Sequence, residues 1–380
     1  MGYCRTGLLA SSTTKAIAML FVVSESAGES LNAKPIAPHV ATAFARLLGN
    51  YSDGHHVVLV EPSMCRSIEG NDTFSAEQKA AARRIRNRFA DFGGLTSVVT
   101  QYATVVSEGI NPHRVETGWE VPLRWIAIHP LSKSAIIGED LNDTGLLLAA
   151  AEDFLELKGL RGFNVRATQA PGGGRNTHRV LERIAIAEQQ PSVCVVDSDR
   201  ACPMSPPGST ALPCTEVVGE GLFSVQLTLG RTIENALPWR LIDLVRQVEG
   251  PIASSALSAL ERQHPRLPAF LNMKRGLTGF DIAKLPSGDA KSFWIAAAEA
   301  VAGPPDCCEI PCGALESPLC RYKIHCGFGN ALLGDVTKWL NDNSVPARVR
   351  RYLPSPNSEE WLSIGRLVSN YTLGMPPRRI

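Results

Sequence analysis

The sequence predicts an α/β fold, a parallel sheet flanked by helices, with a mixed region before it and a mainly helical region after it. Three observations carry this expectation. Between residues 131 and 245, short apolar runs alternate with stretches of helical periodicity, at the spacing of a strand–helix–strand–helix–strand unit. One of the runs, Val193–Val196, is apolar at every position, as in a strand covered on both faces. Acidic residues stand directly behind three of the runs, on the edge where ligands of open parallel sheets gather.

Taken in order, Ser134–Ile137 forms a first strand that stops at Gly138. Thr144–Leu157 carries Leu146, Leu147, Ala150, Ala151 and Phe154 at helical spacing. Phe163–Thr168 reads as a second strand, ended by Pro171-Gly172-Gly173-Gly174. Asn176 is placed to cap a helix running through Val180, Leu181 and Ile184. Val193–Val196 is the third strand and Phe223–Leu229 the fourth; right-handed crossovers place the helices on the sheet's faces. Upstream, residues 1–130 mix a helix around Ala41–Leu48, a strand at His56–Val60 and a long helix at Ala76–Phe89. Arg83, Arg84, Arg86 and Arg88 spread over more than one face of that helix, the pattern of a solvated surface rather than a phosphate-binding strip. Downstream, residues 246–380 show helical periodicity at Ile252–Gln263, Lys291–Val301 and Asn330–Leu340.

Composition narrows the partners. Lys and Arg total 38 against 37 Asp and Glu, so any nucleic-acid surface must be a local patch. Aromatic content of 6% argues against recognition of single strands by base stacking. The apolar stretch Ala16–Val23 is too short to span a bilayer and reads as a buried strand or the start of a helix, so no membrane partner is expected. Ten cysteines in 380 residues are too sparse for a disulfide scaffold, which predicts a reduced, cytoplasmic protein.

The acids define a candidate centre. Glu139 stands at the tip of the first strand, with Asp140 and Asp143 behind it. Asp197 and Asp199 follow the third strand, and residues i and i+2 of an extended segment point to one side. Glu234 follows the fourth strand. Oxygen-only ligands of this kind suit a hard divalent cation such as Mg²⁺ (or Mn²⁺) better than Zn²⁺.

These residues resemble a known family. Gly138-Glu139 with Asp143, then Asp197-Ser198-Asp199 behind Val193–Val196, resemble the two acidic motifs of the Toprim domain. Asp197-Ser198-Asp199-Arg200 followed by a Pro-rich loop to Gly208-Ser209-Thr210-Ala211, and Arg231-Thr232-Ile233-Glu234-Asn235 with Pro238, resemble Toprim nucleases of the overcoming-lysogenization-defect (OLD) type. Stand-alone Toprim effectors of antiphage defence belong to that group, and the basic, Pro-rich Gly374–Arg379 resembles their ends. The resemblance implies a metal-dependent nuclease acting on DNA or RNA (tRNA included). In it Glu139 is a metal ligand or general acid/base, Asp197 and Asp199 hold Mg²⁺ or Mn²⁺, and Asp143 and Glu234 complete a second metal position. The usual motif has glycine after the glutamate, where this chain has Asp140, so either Glu139 or Asp140 is the working carboxylate. OLD-type nucleases also carry an ATPase; with no Gly-x₄-Gly-Lys-Ser/Thr here, a separate ATPase or sensor subunit is the implied partner.

Other features have two readings each. Glu69-Gly70-Asn71-Asp72 spells Glu-Gly directly, but no apolar strand precedes it. Gly172-Gly173-Gly174-Arg175 is either a phosphate-receiving turn or a plain flexible one. His178 reads as a surface residue. Arg200, Lys274 and Arg275 are candidate substrate contacts, the last two equally a helix-terminal charge pair. Cys307, Cys308, Cys312, Cys320, His325 and Cys326 lack paired zinc-ligand spacing and read as free thiols more than as a zinc site. The alternatives to a nuclease are a non-catalytic binding module and another phosphoryl-transfer enzyme on a similar sheet.

Overall fold

The computed structural model describes residues 19–246, 252–302, 323–325, 327–353 and 355–375. Cys307, Cys308, Cys312, Cys320, Cys326 and the basic tail after Met375 lie outside the described residues, as does the segment before Met19.

Among the described residues, two larger sheets carry the fold. The first has five strands, β1 (Leu20–Val23), β2 (Val57–Leu59), β3 (Tyr102–Val106), β4 (His113–Val115) and β5 (Gly118–Pro122), in the order β2-β1-β3-β5-β4. All its pairings are parallel except β4 with β5. The second contains β6 (Ala135–Gly138), β8 (Thr168–Pro171), β9 (Ser192–Val196) and β10 (Phe223–Leu227), all parallel, in the order β10-β9-β6-β8. Two antiparallel pairs complete the strands: β7 (Asn164–Val165) with β13 (Leu373–Gly374), and β11 (Leu277–Thr278) with β12 (Lys323–His325).

The expected second strand is displaced. Phe163–Thr168 does not enter the parallel sheet as a unit; Asn164–Val165 pairs with the far C-terminal strand, and Thr168–Pro171 pairs with β6. The reason is that β8 is an edge strand with one buried residue, Ala170, so it lacks the apolar signature of a covered strand. Pro171 is tolerated at that edge because no neighbour needs its missing N–H.

The parallel sheet separates its two faces by strand alternation. Ile136, Val193 and Val195 pack with Leu146, Leu147, Ala150 and Phe154 of the helix Leu141–Leu157. Ala135, Ile137, Cys194 and Val196 pack on the other side with Leu181, Ile184 and Ala185, and with Ala211 and Cys214 of the helix Ala211–Thr215. The crossover leaving β6 therefore covers one face and the crossover leading to β9 covers the other. That places a topological switch point between β6 and β9, where open α/β sheets leave a crevice at the strand C-termini.

The first sheet's core is continuous with that of the helix Leu141–Leu157. His56 bridges the two sheets: its Nδ1 accepts the Met19 N–H at 2.9 Å, and its Nε2 lies 3.2 Å from the Ser132 carbonyl ahead of β6. Burial pushes its pKa down to about 3, so the ring is neutral and Nε2 is the donor. Arg83 and Arg86 on the helix Ala76–Asn87 pair with Glu69, and Lys79 with Asp72, so the Glu69–Asp72 segment is locally neutralised surface.

The helix Leu141–Leu157 packs closely against Ser358–Thr372, and Gly365 sets how closely. A Cβ built there would stand 2.3 Å from the Ala150 carbonyl oxygen and 3.0 Å from the Phe154 Cβ. Alanine gains about 1 kcal/mol of helix propensity over glycine, but forcing two backbones apart costs about 1–3 kcal/mol. Gly365→Ala is therefore expected to lower the urea midpoint; a midpoint at or above that of the native chain would show that the helices can separate freely.

Candidate active site at the strand tips

Because all strands of the second sheet are parallel, Glu139, Gly172, Asp197 and the loop after Leu227 emerge on one edge. Local chemistry then sets each side chain. Gly138 lets the next helix start immediately: a Cβ there would stand 3.0 Å from the Asp143 Cβ and 3.3 Å from the Thr144 nitrogen. Asp140 is the N-cap of that helix, its Oδ1 accepting the N–H groups of Asn142 at 2.6 Å and Asp143 at 3.1 Å. Asp143 closes the capping box by accepting the Asp140 N–H at 3.0 Å. The Asp140 carboxylate is thus engaged in the cap, whereas Glu139 has a buried Oε1 with no hydrogen-bond partner.

Asp197 accepts the Ile233 N–H at 2.8 Å, which ties the tip of β9 to the turn carrying Glu234. Ser198 is buried and donates to the Gly230 carbonyl at 2.5 Å, holding the same two loops together. Asp199 adopts a left-handed backbone, φ +53°, and its N–H donates to the Arg231 carbonyl at 2.9 Å. A Cβ at Gly208 would stand 2.4 Å from the Asp199 Cβ, so the Pro-rich loop folds back against this residue only because position 208 is glycine.

A cleft of about 300 Å³ lies along this edge, lined by Asp197, Asp199 and Glu234 and by the cations Arg231, Lys274 and Arg275. Glu234 is 1% exposed and its Oε1 pairs with the Lys274 ammonium at 2.6 Å. Lys274 and Arg275 sit in the turn after the short helix Leu267–Phe270, so the pairing across the cleft replaces the helix-terminal reading. Burial alone would lower the Lys274 pKa; Glu234, Asp197 and Asp143 outweigh it and hold the ammonium above its ordinary value.

The acids press on one another. Burial, then Asp199 and Asp143, raise Glu139 to about 7. Burial, then Asp140 and Glu234, raise Asp143 to about 6, against the pull of Lys274. Asp197 is raised well above the usual carboxylate range by burial and by Glu234, Asp143 and Glu139. Such crowding favours a bound cation or a retained proton.

A divalent metal fits this donor set. Every ligand atom on offer is a carboxylate oxygen, Glu139 presents a buried oxygen with no partner, and Asp197 has one oxygen not engaged by Ile233. Among the described residues, no group of three or more His, Cys, Asp or Glu side chains is already drawn in to ligand spacing.

The remaining candidates fall elsewhere. Arg175 is exposed in the turn Gly174–Asn176 at the tip of β8 and does not line the cleft. Two N–H groups of the glycine turn donate inward, Gly172 to the Gly138 carbonyl at 2.7 Å and Gly173 to the Glu139 carbonyl at 2.9 Å, and so are not presented to a phosphate. Asn176 occupies the N-cap position without a side-chain cap bond. His178 is half-buried, with an unpartnered Nδ1, rather than a surface residue. Arg200 is half-buried with an unpartnered Nε and also stands off the cleft lining. Arg231, Asn272 and Asn330 line the cleft without having been singled out from sequence. Only Arg231 lay within a recognisable motif.

No family model, curated protein or solved structure matches this chain. Among the described residues, no helix is long and apolar enough to cross a membrane.

Proposed function

We propose that the protein is a divalent-metal-dependent nuclease that cleaves phosphodiester bonds of DNA or RNA from a Toprim-like centre. One observation carries the reading: Glu139, Asp143, Asp197, Asp199 and Glu234 gather at the β6/β9 switch point, beside a cleft whose other wall is cationic. Bound Mg²⁺ or Mn²⁺ supplies a Lewis acid that polarises the phosphoryl group and lowers the pKa of water.

The chain's own groups do the rest. Asp197 and Asp199 hold the ion, with Asp143 and Glu234 available for a second one. Glu139, with a pKa of about 7, is poised to take a proton from the attacking water near neutral pH and to return it to the leaving oxygen. Arg231, Arg275 and Lys274, the last paired with Glu234, line the same cleft and receive the phosphate charge. The antiphage-defence role, the cytoplasmic setting and the separate ATPase or sensor subunit belong to this same proposal and rest on the resemblance of the motifs.

The test is incubation of the purified protein with plasmid DNA and with total tRNA, each with Mg²⁺, Mn²⁺ or EDTA. Metal-dependent scission of either pool is expected, and the pool that is cut identifies the substrate class. Hydrolysis of a generic phosphoester with no polynucleotide cleavage would replace the nuclease reading with that of a small-molecule phosphohydrolase.

A further inference from the structure

A second cavity lies at the opposite end of the same strands. It encloses about 500 Å³ and is walled by Arg46 and Asn50 from the helix Pro38–Ser52, by His55, by Lys133 ahead of β6, and by Gln190 ahead of β9. β6 runs from this cavity to Glu139 and β9 runs from it to Asp197, so the two cavities are separated by roughly 20 Å of strand.

Its electrostatics are one-sided. The cations Arg46 and Lys133 line it, beside His55, whose pKa burial lowers so that its ring is mainly neutral near pH 7, and no carboxylate does. Arg166 stands just behind: it is 8% exposed, and its Nη1 lies 3.6 Å from the place of a Cβ on Gly54, the residue before His55. Burial is what acts on the Arg166 guanidinium, with no acid opposing it. The one acid that acts on His55 is Asp53, itself exposed, and it is opposed by both Lys133 and Arg166.

The cations are not there to serve the end of the helix Pro38–Ser52. Its last carbonyls are already occupied: Gly49 accepts from Asp53 at 2.9 Å, Tyr51 from Gly54 at 3.1 Å and Asn50 from His55 at 2.8 Å. Half-buried cations on one wall with no carboxylate beside them favour an anionic ligand there. Asn50 and Gln190 complete the wall, their amide nitrogens already donating to the carbonyls of Arg46 (at 2.9 Å) and Lys133.

We propose that this cavity is a second ligand site, for a small phosphorylated molecule of about nucleotide size. The cavity opens widely to solvent, and its volume of about 500 Å³ is that of a discrete, nucleotide-sized ligand. The site is separate from the acidic cleft and does not depend on the nuclease reading.

Calorimetric titration with ADP and with inorganic phosphate, in EDTA so that metal-mediated binding in the cleft is excluded, tests it. The full chain is compared with Lys133→Ala, with the charge reversal Lys133→Glu and with Lys274→Ala/Arg275→Ala, each checked by thermal melting. Saturable ADP binding is expected, weakened about tenfold or more by either Lys133 variant. The Lys274/Arg275 variant should bind as the native chain does. Absence of binding by both probes overturns the proposal. So does binding that survives Lys133→Glu, or that is lost with the cleft cations instead. A single-stranded oligonucleotide that binds through Lys133 where ADP does not would reassign the surface to nucleic acid and overturn the small-ligand site.

Discussion

Asp197→Asn is expected to abolish metal-dependent cleavage while making the metal-free protein more resistant to heat at neutral pH. The substitution is chosen to separate charge from scaffold. Asparagine keeps an Oδ1 that can accept the Ile233 N–H, so the link between β9 and the Glu234 turn survives. What disappears is one negative charge from a cluster in which Glu234, Asp143 and Glu139 already oppose its ionisation. Loss of a metal-holding carboxylate is expected to cost on the order of 10³-fold in rate. The stability effect has the opposite sign. Glu139 and Asp143 have folded-state pKa values of about 7 and about 6, raised from 4.5 and 3.8. Below about pH 4 these two are protonated in both states and contribute nothing. As pH rises toward 7 the unfolded chain ionises first, so stability falls across that window and levels off above it. In EDTA the melting temperature should therefore decline from pH 4 to 7, less steeply in Asp197→Asn, and Mg²⁺ should restore it in the native chain. An active Asp197→Asn would remove Asp197 from the chemistry; an unchanged pH slope would remove it from the electrostatic cluster.

Much of this centre is legible in sequence because its acids follow strand tips, and strands with both faces covered announce themselves. Val193–Val196 is buried at every position, and its apolar run alone places Asp197 at a sheet edge. Gly138 before Glu139 is equally readable: it marks the point where a helix must begin at once. The opposite wall is not readable, because Lys274 comes from a turn about forty residues beyond Glu234 and Asn330 from farther still. Nothing in their local pattern encodes that meeting; it arises from packing of the helices after residue 246. Part of the first sheet is equally hidden: its strands at Leu20–Val23 and Val57–Leu59 fall in apolar runs that read as such, but the other three do not. Tyr102–Val106 alternates buried and half-buried positions, and Gly118–Pro122 contains both a glycine and a proline, so neither stands out as a strand. That Asp140 caps the helix while Glu139 keeps an unpartnered buried oxygen likewise needed three dimensions.

Asp153→Ala is expected to be the most destabilising single substitution outside the apolar core. Asp153 is fully buried in the helix Leu141–Leu157, and three side chains from the C-terminal helices converge on it. The Arg348 Nε donates to Oδ1 at 2.9 Å, the Trp361 Nε1 to Oδ2 at 3.0 Å, and the Tyr352 hydroxyl to the same Oδ2. Arg348 also reaches Glu152 at 2.7 Å and the Leu340 carbonyl at 3.1 Å. Burial raises the Asp153 pKa and would lower that of Arg348, yet their mutual attraction holds the guanidinium above its ordinary value. Removing one partner leaves a buried charge and two buried donors unmet, which costs about 3–5 kcal/mol against a typical total of about 5–15 kcal/mol. Replacing both charges with apolar groups of similar volume, Asp153→Leu with Arg348→Met, should cost less than Asp153→Ala alone. Urea unfolding of the single variants and the double variant closes the cycle; a loss below about 1 kcal/mol for Asp153→Ala would mean that the network is not what fastens these helices. The consequence reaches the site, because the same helix carries Asp143 in its first turn and fixes the strand tip at Glu139 through the Asp140 cap. Loosening it three turns away releases the one element that holds two of the five acids in place.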